Sequence, residues 1–242
     1  MLAAPATERA AALRVGGLTR LSTTDWPGEL AAVVFCQGCP WRCSYCHNPQ
    51  LLRTRGPSEI AWGDVLAWLR RRQGLLDAVV FSGGEPLAQP GLAEAMRSVR
   101  ALGFRVGLHT GGACPRRLSQ VLSLVDWVGF DIKAPFSDYA SITGAPDSGV
   151  RALESAKLLI ATSIACELRT TVHPRLLDSE AVERLADELV ALGARRYVLQ
   201  EFRDEGCADP SLVDGVGFSL EPCAAKIGAR FASFEVRGRA AR

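Results

Sequence analysis

Short, nearly continuous apolar runs alternate along the chain with longer stretches in which apolar residues recur every third or fourth position. The runs predict strands at Leu30–Phe35, Asp77–Phe81, Phe104–Leu108, Trp127–Ile132, Ala165–Val172, Tyr197–Gln200 and Phe231–Val236. The longer period predicts helices at Glu59–Arg72, Leu92–Leu102, Pro115–Leu124, Val150–Ile160 and Glu180–Leu192, with a last short one after Ser219. Their ends carry helix punctuation: Ser58 caps the first and Gly74 stops it. Pro90-Gly91 opens the second and Gly103 closes it. Asp147 or Ser148 caps the fourth, and Asp178 or Ser179 caps the fifth, which stops at Gly193. Strands and helices alternating through short turns predict an α/β fold built on a parallel sheet. Right-handed crossovers then bring every strand's C-terminal end to one face, the face on which such folds bind ligands. The repeats match neither an eightfold closed barrel nor a split sheet, so periodicity leaves the closure open.

Composition narrows the function classes. The chain has 242 residues, 48 % hydrophobic and 22 % charged, an ordinary folded balance with enough length for a sizeable core. Its net charge of +2, from 28 basic and 26 acidic residues, gives no electrostatic footprint for nucleic acid or a membrane surface. Arg70-Arg71-Arg72 and Arg195-Arg196 read as solvated helix ends. No apolar run approaches the length of a membrane span. Glu8 and Arg9 interrupt what a signal peptide needs as an apolar core, so residues 1–14 are expected to be a flexible extension and 15–242 a single domain. There are eight cysteines, four of them between Cys36 and Cys46. This suits a metal site in a reducing compartment, hence the cytoplasm, rather than a disulfide framework.

The candidate chemistry falls at the strand ends. Directly after the first strand, Cys39, Cys43 and Cys46 are spaced C-x3-C-x2-C. Soft thiolates suit iron-sulfur clusters or zinc. A structural zinc site is closed by four ligands, whereas three thiolates on a cube of four irons leave one iron open. Cys36 can close a four-thiolate site with them, but it belongs to the strand, where a small buried thiol is the commoner fate. After the second strand stands Ser82-Gly83-Gly84-Glu85-Pro86, where paired glycines permit tight backbone approach and Glu85 offers a carboxylate to an ammonium group. Asp131-Ile132-Lys133 ends the fourth strand with two opposite charges on one face, suited to a zwitterion or to each other. His109-Thr110-Gly111-Gly112, Arg169-Thr170-Thr171-Val172-His173-Pro174 and Gln200-Glu201-Phe202-Arg203 end three more strands. His109 reads as a hydrogen-bonded turn residue. Cys114, Cys166, Cys207 and Cys223 show no ligand spacing.

Together, Asp25-Trp26-Pro27-Gly28, Gln37-Gly38-Cys39, Tyr45-Cys46-His47-Asn48-Pro49, Gly83-Gly84-Glu85-Pro86, Asp131-Ile132-Lys133 and Arg169-Thr170-Thr171-Val172 resemble the activating proteins of glycyl radical enzymes. Within the radical S-adenosylmethionine (SAM) enzymes, the run is most similar to the longer-form activating proteins of anaerobic ribonucleoside-triphosphate reductase. The resemblance implies a partial (β/α)6-type barrel, an open parallel sheet with helices outside. It implies a [4Fe-4S] cluster on Cys39, Cys43 and Cys46, with SAM docked on the fourth iron. Gly83, Gly84 and Glu85 would hold its methionine end, with Asp131 and Lys133 completing the grip. Thr110 would reach the ribose, Tyr45 and His47 would lie along the adenine, and His173 either meets the SAM carboxylate or is a turn residue fixed by Pro174. The implied reaction is reductive cleavage of SAM to a 5′-deoxyadenosyl radical, which takes hydrogen from a backbone glycine of the partner, with no protein acid or base. The implied partners are a glycyl radical enzyme and an electron donor such as flavodoxin or ferredoxin. Alternatives are an activase of the pyruvate formate-lyase type, a small-molecule radical SAM enzyme such as a 7-carboxy-7-deazaguanine synthase-like protein, and a non-catalytic iron-sulfur or zinc protein.

Overall fold

The computed structural model describes residues 13–56, 59–207, 209–213 and 219–238. The expected extension over 1–14 falls largely outside them, as does the Ser58 cap. Leu13 is buried and the Arg14 carbonyl accepts from the Gln37 amide, so these two belong to the folded chain. The chain divides into two compact units, Met1–Pro40 with Gln50–Gly129 and Trp41–Pro49 with Phe130–Arg242.

The first unit contains β1 (Val15–Ser22), β2 (Ala31–Cys36), β3 (Ala78–Gly83) and β4 (Arg105–Thr110), side by side in that order. β2, β3 and β4 are parallel, and β1 runs antiparallel to β2. Strand β1 was not expected: Gly16-Gly17 and the polar Thr19 and Arg20 break any period, and its second half is largely exposed. The crossover helices are α1 (Trp62–Arg70) and α2 (Leu92–Ala101), and α3 (Pro115–Val121) follows β4. Helix α1 starts later than the predicted Glu59 because Ile60 is drawn into a bridge with Val15, its amide donating to the Val15 carbonyl.

Alternation along these strands fills both faces. On one, Trp26, Ala31, Val33, Ala78, Val80 and Trp127 form a buried cluster with Phe35 packed against it. The Trp26 and Trp127 rings stack at 5.5 Å, a contact worth about 0.5–1.5 kcal/mol beyond area burial. Gly107 makes room for them, since a Cβ there would meet the Trp26 ring at 2.9 Å. On the opposite face Ala32, Val34, Val79 and Phe81 are fully buried, with Phe81 against the Trp62 ring of α1. Helix α2 buries Leu92, Ala95, Met96 and Val99, an i, i+3, i+4, i+7 stripe in which each large side chain contributes about 1.5–3 kcal/mol.

The chain enters the second unit within β5 (Trp127–Asp131). This unit holds the parallel strands β6 (Ala165–Val172), β7 (Arg196–Glu201) and β8 (Ser233–Arg237), with α4 (Tyr139–Thr143), α5 (Ser148–Ile160), α6 (Ser179–Ala191) and α7 (Glu221–Ile227). Asp178 caps α6, its carboxylate accepting from the Ala181 amide at 2.8 Å, a cap worth about 1 kcal/mol. The Tyr197 ring packs against Phe231 and Phe234, and its hydroxyl donates to Thr170. Glu167, 1 % exposed, is a buried carboxylate made tolerable by Arg237, which grips it bidentately at 2.7 and 2.9 Å, and by Arg196 at 3.0 Å. Helix α4 escaped the sequence pattern because five residues carry no period. Among the described residues no helix is long and apolar enough to cross a membrane.

At their C-terminal ends β2 includes Cys36, as expected, while β3 runs on to Gly83 and β4 to Thr110, further than the apolar runs. The candidate residues therefore begin on strand backbone.

Candidate cofactor site

In the first unit the chain leaving β2 lies against the chain leaving β3. The Gly84 amide donates to the Cys36 carbonyl at 2.9 Å and the Glu85 amide to the Gly38 carbonyl at 3.0 Å. A Cβ on Gly83 would run into the Cys36 backbone, and one on Gly84 would come within 2.5 Å of the Gly38 oxygen. Gly83 also has φ +110, a conformation other residues rarely adopt. The paired glycines thus let two backbones touch. The Gly38 and Cys39 amides in turn donate to the Leu51 and Leu52 carbonyls. The buried Gln37 side chain ties the same segment down by donating to the Gln50 and Arg53 carbonyls.

Glu85 is 2 % exposed, and its carboxylate accepts from the Leu87 amide (3.0 Å), the Thr110 hydroxyl (2.7 Å) and the Gly111 amide (3.1 Å). Thr110, also buried, accepts from the Gly112 amide. Sequence reasoning aimed Glu85 at an ammonium group and Thr110 at a ribose. The structure places both in the network that shapes the loop, while Ser82, Gly83 and Gly84 are part-exposed. Cys36 is fully buried; burial pushes its thiol well above the ordinary range and the Glu85 charge pushes the same way. Burial in the strand end is the packing of a small core thiol. His109 is anchored by Asp25, whose backbone carbonyl accepts from Nε2 at 2.7 Å, while Nδ1 lies 3.3 Å from the Ser82 hydroxyl and 3.9 Å from the Asp25 carboxylate.

In the second unit the segment Trp41–Pro49 rests on α4. The last-turn carbonyls of Ile142 and Thr143, which a helix end leaves without intrahelical partners, accept from the Ser44 and Arg42 amides at 3.1 and 2.8 Å. The Trp41 ring sits edge-on to Tyr139. The Cys46 amide then donates to the Cys43 carbonyl, turning the chain between those two thiols. Burial raises the Cys43 thiol, and Lys133 pulls it back.

Lys133 lies over the Tyr45 ring at 5.6 Å, and its amide donates to the Tyr139 hydroxyl. Burial alone would lower its pKa, but Tyr45, Cys43, Asp131 and Tyr139 outweigh it and hold the ammonium well above the usual lysine range. Asp131 is gripped by Arg169, whose Nε and a terminal nitrogen both reach one carboxylate oxygen at 2.9 Å. His47 donates from Nε2 to the Arg203 carbonyl (2.7 Å) and stacks on Phe202. His173 is 8 % exposed, with Nδ1 accepting from the Arg175 amide and Nε2 donating to the Leu212 carbonyl. Nδ1 thus serves the local turn that contains Pro174, while Nε2 ties the ring to the separate turn Pro210–Leu212. Tyr139 was missed because α4 was missed; Phe202 was named only within a polar segment, its value as a ring partner invisible without contacts.

Cys39, Cys43 and Cys46 are each half-buried, and no described cysteine is joined in a disulfide. Among the described residues no three His, Cys, Asp or Glu side chains converge on a single-ion site. Thiolates at separate corners of a cube need not converge, whereas zinc ligands must. Three part-exposed thiols are a donor set of the kind that an iron-sulfur cluster takes.

The family model described as the radical SAM superfamily matches residues 33–199. A putative glycyl-radical enzyme activating enzyme, MJ1227 of Methanocaldococcus jannaschii, is 29 % identical over 204 residues, 81 % of this chain and 82 % of that protein. The pyruvate formate-lyase-activating enzyme of Clostridium pasteurianum is 32 % identical over 181 residues, 72 % of this chain and 75 % of its own. Among solved structures, Streptococcus suis SuiB bound to S-adenosylmethionine superposes with a TM-score of 0.65 at 13 % identity, covering 85 % of this chain; the chain spans about half (49 %) of SuiB. That likeness shows the fold, an open parallel sheet of the partial-barrel type. The family works with a [4Fe-4S] cluster and SAM, which the three-thiol donor set suits. The chain belongs to the radical SAM superfamily and is homologous to the enzymes that activate glycyl radical enzymes.

Proposed function

We propose that this chain is an activase that places a radical on a backbone glycine of a partner enzyme, and that the partner is an anaerobic ribonucleoside-triphosphate reductase. The observation that carries the activase assignment is homology to two activating enzymes over at least three quarters of their lengths, 82 % and 75 %. The reductase assignment is finer. It is supported by the ordered run from Asp25-Trp26-Pro27-Gly28 to Arg169-Thr170-Thr171-Val172. The 32 % identity to the Clostridium pasteurianum enzyme favours a second reading, a pyruvate formate-lyase-type partner.

In this proposal Cys39, Cys43 and Cys46 hold the cluster. When bound, the cluster would supply the single electron that breaks a carbon–sulfur bond of SAM, releasing methionine, and this is the chemistry by which hydrogen would be taken from the partner's glycine. The chain's residues orient and enclose. The Gly83-Gly84 backbone, kept in shape by Glu85 and Thr110, receives the methionine end. Lys133, braced by Tyr45 and Tyr139, presents a cation to the carboxylate, with Asp131 beside it. Tyr45 and His47 flank the adenine. Flavodoxin or ferredoxin is the proposed electron source, and a reducing compartment, the cytoplasm, the proposed location.

The test is anaerobic reconstitution with iron and sulfide, reduction with SAM present, and quantification of 5′-deoxyadenosine. Each candidate partner is then added and its glycyl radical read by electron paramagnetic resonance (EPR). No 5′-deoxyadenosine refutes the enzyme class, and a radical on the lyase but not the reductase moves the partner to the second reading.

A further inference from the structure

The chain leaving β7 closes on the end of the cysteine segment. Phe202 stacks face to face on the His47 imidazole, with centroids 5.3 Å apart and planes 25° apart. Phe202 also takes His173 edge-on at 5.0 Å, 81° between planes. His173 cannot swing away, because Nδ1 accepts from the Arg175 amide (3.1 Å) and Nε2 donates to the Leu212 carbonyl (3.2 Å). His47 is fixed in turn by its bond from Nε2 to the Arg203 carbonyl. Gly206, at φ +85, brings the same loop against the His47 carbonyl, where a Cβ would stand 2.6 Å away. Three rings from distant parts of the sequence are thereby locked in series, with the outermost adjoining Cys46.

We infer that Phe202 is a positioning residue for SAM: braced by His173, its ring sets the plane of His47 and so the surface offered to the adenine. This rests on the radical SAM reading above. It assigns work to Phe202, to which no motif points, and gives His173 an indirect role through that ring rather than a contact of its own with the SAM carboxylate. A face-on and an edge-on ring contact give orientation as well as attraction. Cluster binding needs thiols and is unaffected by the ring; SAM affinity depends on it.

The test uses the full chain, anaerobically reconstituted, as wild type and as Phe202→Ala, Phe202→Leu and Phe202→Tyr. Leu keeps apolar bulk without a ring, which guards against a folding defect in the Ala variant. Iron and sulfide content, melting temperature, SAM binding by equilibrium dialysis, and the EPR signal of the reduced cluster with and without SAM are measured. Phe202→Leu is expected to load iron as wild type and to give the wild-type signal without SAM. It should bind SAM roughly three- to tenfold more weakly, the range an aromatic pair is worth, and need correspondingly more SAM for the SAM-dependent change in signal. Phe202→Tyr should restore both. Unchanged SAM binding in the Leu and Ala variants, no rescue by Tyr, or iron lost together with SAM binding each overturns the assignment of Phe202. A wild type that loads iron yet neither binds nor cleaves SAM overturns the underlying reading instead.

Discussion

The Glu85 amide donates to the Gly38 carbonyl oxygen at 3.0 Å, so the glycine-pair loop is fastened to the residue before Cys39. A loop that sequence reasoning assigns to the methionine end of SAM therefore also fixes the first thiol.

Gly84→Ala tests that coupling. The new Cβ would stand 2.5 Å from the Gly38 oxygen and 3.0 Å from the Leu51 oxygen, both backbone. One strand of contact must move, at a cost of about 1–3 kcal/mol. The expected outcome is a reduced iron content after reconstitution, before any SAM is added. Full iron loading with weakened SAM binding alone would show that the loop serves the ligand and not Cys39.

Glu85→Gln is expected to destabilise the protein before any cofactor is loaded. Three donors converge on the carboxylate, two on one oxygen and one on the other. Glutamine keeps one acceptor oxygen and turns its NH2 toward at least one buried donor, costing about 1–3 kcal/mol. Denaturant unfolding of the apoprotein reads this directly, and an unchanged midpoint would mark Glu85 as a ligand residue with no structural share.

Cys36→Ala is expected to keep its iron and its 5′-deoxyadenosine yield, losing about 1 kcal/mol of stability at most from the small void. Cys39→Ala, Cys43→Ala and Cys46→Ala should each lose SAM cleavage. The thiol of Cys36 is fully buried at the end of β2, in the core of its unit. If Cys36→Ala loses SAM cleavage, the three-thiolate assignment falls.

Glu235 on β8 gives an acid-stability signature. Hydrogen bonding from Arg237 holds its carboxyl below the usual glutamate range, against a smaller upward push from burial. A carboxylate lowered on folding contributes stability that is present above its unfolded pKa and is lost as pH falls through the folded one. Glu235→Gln should therefore cost stability by a constant amount above about pH 5. The difference from wild type should close on further acidification. Its side chain is 45 % exposed, so the effect is only a few tenths of a kcal/mol. A gap that widens in acid would contradict the sign.

Much of this was legible in the sequence, and the failures have identifiable causes. Strands β2 to β5 announced themselves because buried strands are nearly continuous apolar runs, and α2 and α6 because their stripes are long enough to repeat; β8 is largely exposed and shows only as the short run that includes Phe234 and Val236. Strand β1 and helix α4 did not: one is an edge strand whose glycines carry no pattern, the other a single short helix. Spacing located Gly83 and Gly84 but not their reason, since the backbone they accommodate belongs to another loop. Likewise alternation put Asp131 beside Lys133, while the structure gives Asp131 the Arg169 guanidinium and sets Lys133 over Tyr45, pairings fixed by a neighbouring strand and by the cysteine segment.

The seat of Arg42 and Ser44 on the carbonyls of α4 ties the order of biogenesis to the order of the chain. Two of the three sulfurs of the cysteine motif leave the ribosome long before the short helix that will shape their surroundings has been synthesised. During that interval they belong to a nascent strand with no scaffold, open to oxidation and to adventitious metals. Productive assembly must wait for the C-terminal half, so truncation anywhere between His47 and Thr143 yields a polypeptide that carries the whole cysteine motif yet lacks the support that holds it.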